Sequence, residues 1–193
     1  MTKDVINALA VAGVVGQVLG ALFALAALGA LVGVGRPFAW VRDVLWGSEL
    51  WAAFVVSSIA TGGSLFFSEV AGFVPCELCW YQRICMYPIS IITLIAAVRR
   101  EFGIARYLLP LPIVGACVSI YHLLIENGVV GQSTQCLVSA PGGCATKWID
   151  KFGYVTIPTL ALTAFVLLIE LLAVAAIGSG GPAPIVTTRD DQW

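Results

Sequence analysis

Five apolar stretches decide most of what this chain can become. Residues 5–34 are apolar apart from Asn7 and Gln17. Residues 50–67 follow, interspersed with small polar side chains, and then come 84–98, 108–125 and 155–177. The hydrocarbon core of a bilayer takes about 20 residues of helix, so each stretch can cross it, the third if its helix begins before Ile84. Backbone groups in lipid have no water to bond, which makes these segments helices. Composition agrees: of 193 residues, 60% are hydrophobic and 11% charged, against roughly a quarter charged in soluble domains. The net charge of −1 without a basic run offers nothing to nucleic acid. The reading is an all-α membrane protein with lipid as its solvent.

Positive charge orients the spans. Arg36 and Arg42 follow the first, Arg99, Arg100 and Arg106 separate the third from the fourth, and Arg189 is in the tail. An odd number of spans puts all six on one side, taken as the cytoplasm of a bacterial inner membrane. The N-terminus, Lys3, Lys147, Lys151, residues 68–79 and the loop 126–152 then lie outside. A cleaved signal peptide is the other reading of the first stretch, but its apolar core is too long and cleavage would put Arg36 and Arg42 outside. The chain divides into 1–45, a first transmembrane helix and cytoplasmic loop; 46–178, the core; and 179–193, a tail of turn formers and charge expected to be disordered.

Four of the six cysteines fall on the outer side, where disulfides persist. Cys76 and Cys79 sit in VPCELCWYQR, where the third span begins. Cys136 and Cys144 sit in QCLVSAPGGC, in the outer loop. Pro75 suits the first turn of a helix, placing Cys76 and Cys79 at the positive end of its dipole, which favours thiolate. Cys76, Cys79 and Arg83 are spaced i, i+3, i+7 and share one face, continued by Met86 and Ser90. An arginine one turn into an apolar helix is costly and marks function, unless it snorkels to headgroups. C-x-x-C alone serves zinc and redox sites alike, so a zinc site and two structural disulfides stand beside thiol exchange as alternatives.

PCELCWYQR resembles the bacterial disulfide bond formation protein B family, including its BdbC-like branch. The loop pair followed by KWIDKFGYVTIPTLAL and the segment YHLLIE carry the same resemblance, which covers roughly residues 50–177. It implies a four-helix transmembrane bundle, here with one additional N-terminal helix. It also implies an enzyme that reoxidises a DsbA-like thioredoxin-fold protein and reduces a quinone, ubiquinone or menaquinone, without a metal. Carried over by position, Cys136 and Cys144 are the partner-facing disulfide, Cys76 exchanges with them, Cys79 faces the quinone, and Arg83 holds it. Met86 lies on the same face, and His122 matches a family histidine near the site. A vitamin-K-epoxide-reductase-like protein shares the chemistry but carries its C-x-x-C after its loop pair, the reverse of the order here.

Other residues read more plainly. Cys85 and Cys117, inside apolar helices, are expected to pack as small hydrophobes. Glu170 is given no role. Trp46, Trp51, Trp80 and Trp148 suit an interfacial belt. The first helix carries no titratable group beyond its ends and is expected to be dispensable for the chemistry.

Overall fold

A computed structural model describes residues 2–33 and 36–178; the tail expected to be disordered lies outside the described residues. Five helices are long and apolar enough to cross a membrane. They are α1 (Thr2–Leu31), α3 (Glu49–Leu65, prolonged by one π-helical stretch over Phe66–Val70), α4 (Glu77–Arg99), α6 (Pro110–Glu126) and α8 (Ile157–Gly178). Between them lie α2 (Arg36–Leu45), the short α5 (Ala105–Leu108) and the loop helix α7 (Thr134–Ser139). Among the described residues the one extended pairing is an isolated bridge between Lys151 and Val155. The chain is a multi-pass all-α membrane protein.

In this fold, α3, α4, α6 and α8 form a closed ring of neighbours, and α1 stands outside it against α8. Small residues set the spacing, since lipid supplies no hydrophobic drive between helices and close backbone approach must replace it. At Gly115 of α6 an added Cβ would collide with the ring of Phe165 on α8, and that ring is completely buried. Three fully buried hydroxyls are satisfied within their own helices. Ser57 donates to the Ala53 carbonyl at 2.8 Å, Thr93 to Ile89 at 2.7 Å and Ser119 to Gly115 at 2.8 Å.

Residues 36–45, read from sequence as loop, form a helix instead. Its Phe38 packs edge-on against Phe23 of α1 at 5.9 Å between ring centroids, while Trp40 and Val44 stay exposed. Ten residues with apolar groups on the exposed side suit a helix lying in the membrane interface, which no loop-length argument reveals. Trp46, Trp51 and Trp80 are all exposed, as a belt requires. Trp148 departs from that expectation and is described below.

Gly115→Leu should lower the unfolding midpoint in detergent by the equivalent of about 1–3 kcal/mol, the usual cost of overpacking. Phe165→Ala in the same chain should restore part of the loss, because the ring is the obstacle; no recovery would mean that Gly115 serves some other contact.

Candidate functional site

The antiparallel ring brings the start of α4, the end of α6 and the start of α8 to one end of the bundle. There Cys76 is the N-cap of α4. Its backbone is extended (φ −74°, ψ 173°) and its sulfur accepts the amide N–H of Cys79 at 3.4 Å. Pro75 therefore precedes the helix instead of opening it: the Cys76 sulfur serves one of the free N–H groups of the first turn, and helical geometry begins at Glu77. The Cys76 and Cys79 sulfurs lie 2.7 Å apart as free thiols, Cys76 buried and Cys79 half-buried.

His122 of α6 joins this pair to the loop. Its Nε2 lies 3.0 Å from the carbonyl oxygen of Cys144 and 3.7 Å from the Cys76 sulfur. A carbonyl can only accept, so Nε2 carries the proton. In the neutral ring Nδ1 is then the acceptor, with the Gln82 side-chain amide 3.5 Å away. Hydrogen bonding with the Cys79 thiol is the main influence on Cys76. Burial opposes it, His122 adds to it, and the net effect brings the Cys76 thiol down from 9.0 to about 5.

The loop pair lies directly on top. Ser133 caps α7 by accepting the Cys136 N–H at 3.1 Å. Gly142 and Gly143, both with positive φ (80° and 71°), turn the chain so that Cys144 comes back to Cys136 as a disulfide. Both cysteines are 1% exposed and share a buried cluster with Cys76, Leu78, Ile125 and Ala140. Ser139 also accepts the amide N–H of Glu77 at 3.1 Å, tying the loop helix to the start of α4. The resemblance implies a partner-facing loop disulfide; the structure closes the loop over Cys76, because the apolar sides of Leu78 and Ile125 give it something to cover.

Below the pair opens a cavity of about 220 Å³ lined by Cys79, Arg83, Met86, Ser64, Trp148 and residues of α1 and α8. Arg83 is 9% exposed. Its Nε donates to the Ser64 hydroxyl and its Nη2 to the Ser64 carbonyl, each at 3.0 Å, and its guanidinium lies 5.1 Å from the centre of the Trp80 ring. Such a buried, bonded arginine is not snorkelling. Trp148 stacks on Phe73 at 5.2 Å, and Phe73 on Phe67 at 6.0 Å, so this tryptophan builds an aromatic wall of the cavity instead of a belt. Cys79, Arg83 and Met86 thus converge on one space. His122 is absent from that lining and belongs to the Cys76 side.

A family model for the disulfide bond formation protein DsbB matches residues 48–175. This chain belongs to the DsbB family. It is 48% identical over 122 residues to disulfide bond formation protein C of Bacillus subtilis, covering 62% of this chain and 86% of that protein. It is 41% identical over 133 residues to a probable disulfide formation protein of Deinococcus radiodurans, 65% of this chain and 87% of that one. A probable disulfide formation protein of Metapseudomonas resinovorans is 38% identical over 121 residues, 63% and 84% of the two chains. No solved structure matches.

Within this DsbB-family core several site residues have no signature in sequence. Gln82 and Ser64 look like ordinary polar residues of apolar helices. Glu126, one turn beyond His122, is buried, accepts the Thr156 hydroxyl at 2.8 Å and lines a small space with Cys76, Cys79, His122 and Cys144. Cys85 packs in the core as expected. Cys117 does not: it is exposed on the outer side of α6. Glu170 faces Gly20 of α1, away from the cysteines.

The reduced protein should show one thiolate titrating near pH 5, read from ultraviolet thiolate absorbance and lost in Cys76→Ala. His122→Phe should move that midpoint upward; an unchanged midpoint would remove the imidazole from the Cys76 environment. The stability this thiolate gives the reduced protein is fully present above pH 9.0 and falls away as pH drops towards about 5.

Proposed function

We propose that this DsbB-family protein oxidises a DsbA-like thioredoxin-fold partner and delivers the electrons to a membrane quinone, supporting disulfide formation in exported proteins on the outer side of the bacterial inner membrane. One observation carries the reading: the loop disulfide, the Cys76–Cys79 pair and the Arg83 cavity lie in sequence, each against the next.

A partner thiolate attacks Cys136, the Cys136–Cys144 bond breaks, and Cys144 leaves as thiolate. With the inner pair oxidised, Cys144 attacks Cys76 and Cys79 leaves as thiolate. The second partner thiol resolves the mixed disulfide and frees Cys136, which attacks Cys144 and restores the loop disulfide with Cys76 as leaving group. The partner is now a disulfide and the inner pair a dithiol. His122, its Nε2–H 3.7 Å from Cys76, stabilises that leaving thiolate. Exposed Leu137 and Val138, adjacent to Cys136, offer the partner an apolar contact.

The cavity suits a quinone on its own residues. Its walls are mostly apolar and aromatic, with Cys79 at one side, and Arg83 keeps Nη1 free of hydrogen bonds among the described residues after Nε and Nη2 bond Ser64. A bound quinone would supply a sink for the two electrons and two protons of the inner dithiol. Arg83 would hold an oxygen of the ring and stabilise negative charge there, and Met86 would pack beside it.

A second reading has one observation in its favour. The ligand atoms of Cys76, Cys79 and His122 lie within 4.8 Å of one another and could hold a metal ion. Stoichiometric zinc in purified protein, with no bound quinone, would favour it.

In anaerobic mixing with a reduced thioredoxin-fold protein and a soluble quinone, Cys79→Ser should abolish quinone reduction yet still oxidise about one equivalent of partner through the loop disulfide. Arg83→Met should raise the KM for quinone about tenfold or more, as the loss of a charged contact does. Full turnover by Cys79→Ser would overturn the proposal.

A further inference from the structure

The family match begins at residue 48 and the cited relatives align with 62–65% of this chain, so α1 lies outside the shared core. It is nevertheless built into the site. An added Cβ at Gly13 would collide with Leu160 of α8, and one at Gly16 would lie 3.1 Å from Leu167 and 3.2 Å from Thr163. Backbone and side chains are thus in close contact along this seam. Its register is held by one polar residue: Gln17 donates to the Thr163 hydroxyl at 3.2 Å and accepts from the Tyr154 hydroxyl at 3.0 Å. Leu9 meanwhile reaches α3, where a Cβ at Gly63 would lie 3.4 Å from it. So seated, α1 bridges α8 and α3, and Leu9, Ala12, Gly13 and Gly16 line the same cavity as Cys79 and Arg83.

We propose that α1 is the lipid-side wall of the acceptor cavity and holds the apolar tail of the acceptor while the ring lies at Cys79 and Arg83. The inference rests on the quinone reading above and adds where selectivity for the tail resides. An acceptor that lives in lipid must enter from lipid, and the wall facing lipid decides which tails are held. Ala12 and the glycines leave room there, while Leu9 gives the tail an apolar surface. The first helix is then part of the acceptor site, contrary to its expected dispensability.

The test is binding, measured without turnover by quenching of tryptophan fluorescence in purified full-length protein. The probes are a quinone bearing a short isoprenoid tail and the same ring without one. Ala12→Phe, which fills the α1 side of the cavity, should weaken binding of the tailed quinone by about tenfold or more and that of the bare ring by less than about twofold. Gly13→Leu, which pushes α1 off Leu160, should act in the same direction. An unchanged unfolding midpoint for Ala12→Phe would show that the helix is still seated. Equal affinity for the tailed quinone in wild type and Ala12→Phe overturns the inference and leaves the quinone reading intact. A wild type that binds neither probe overturns both.

Discussion

One imidazole holds the cysteine end together. His122 gives its Nε2 proton to the carbonyl of Cys144 and sets the same N–H towards the Cys76 sulfur. This side chain of α6 links the loop disulfide to the inner pair, beside the Ser139 bond to Glu77 and the shared apolar cluster. Thiol exchange needs a thiolate with access to a disulfide sulfur, and this placement supplies it. The imidazole works because it is dry. At 4% exposure its hydrogen bonds compete with little water, and the Cys144 carbonyl, which can only accept, keeps the proton on Nε2.

The second constraint is the cost of Arg83. A guanidinium buried in an apolar bundle is tolerated when its donors are satisfied and its charge is used. Ser64 takes two of those donors and Trp80 lies against the cation. The charge then stands at the edge of a cavity whose other walls are mostly apolar and aromatic. Such a space suits the quinone proposed above, and Cys79 borders it. The two halves of the site thus differ in character. One handles sulfur under a closed loop, and the other opens among the helices.

Much of this was legible in the sequence, and the rest was not for identifiable reasons. The five spans follow from apolar length, and the shared face of Cys79, Arg83 and Met86 follows from helical spacing, because both properties are local to one segment. The loop's shape is not legible in sequence, because Gly142 and Gly143 there are only turn formers, whereas their positive φ values close a compact disulfide lid. Sequence gives the depth of His122 in the membrane but not its rotation about the helix axis, which turns it to Cys76 and not to the Arg83 cavity. Trp148 and α2 were missed for related reasons: an aromatic near a boundary reads as belt, and a short charged connection reads as loop. The role of α1 was hidden most deeply, since its contribution is a surface of small residues with no chemistry of its own.

The relay between the two pairs is tested most directly by leaving one cysteine of each. A chain carrying Cys79→Ser and Cys136→Ser retains Cys76 and Cys144, the two residues that His122 brackets. Purified without reductant, treated with a small thiol oxidant such as diamide and mapped by mass spectrometry of its peptides, it should contain a Cys76–Cys144 disulfide, and His122→Ala in the same chain should slow its formation. Two free thiols at Cys76 and Cys144, in a protein that remains folded, would contradict the transfer of electrons from the loop to the inner pair.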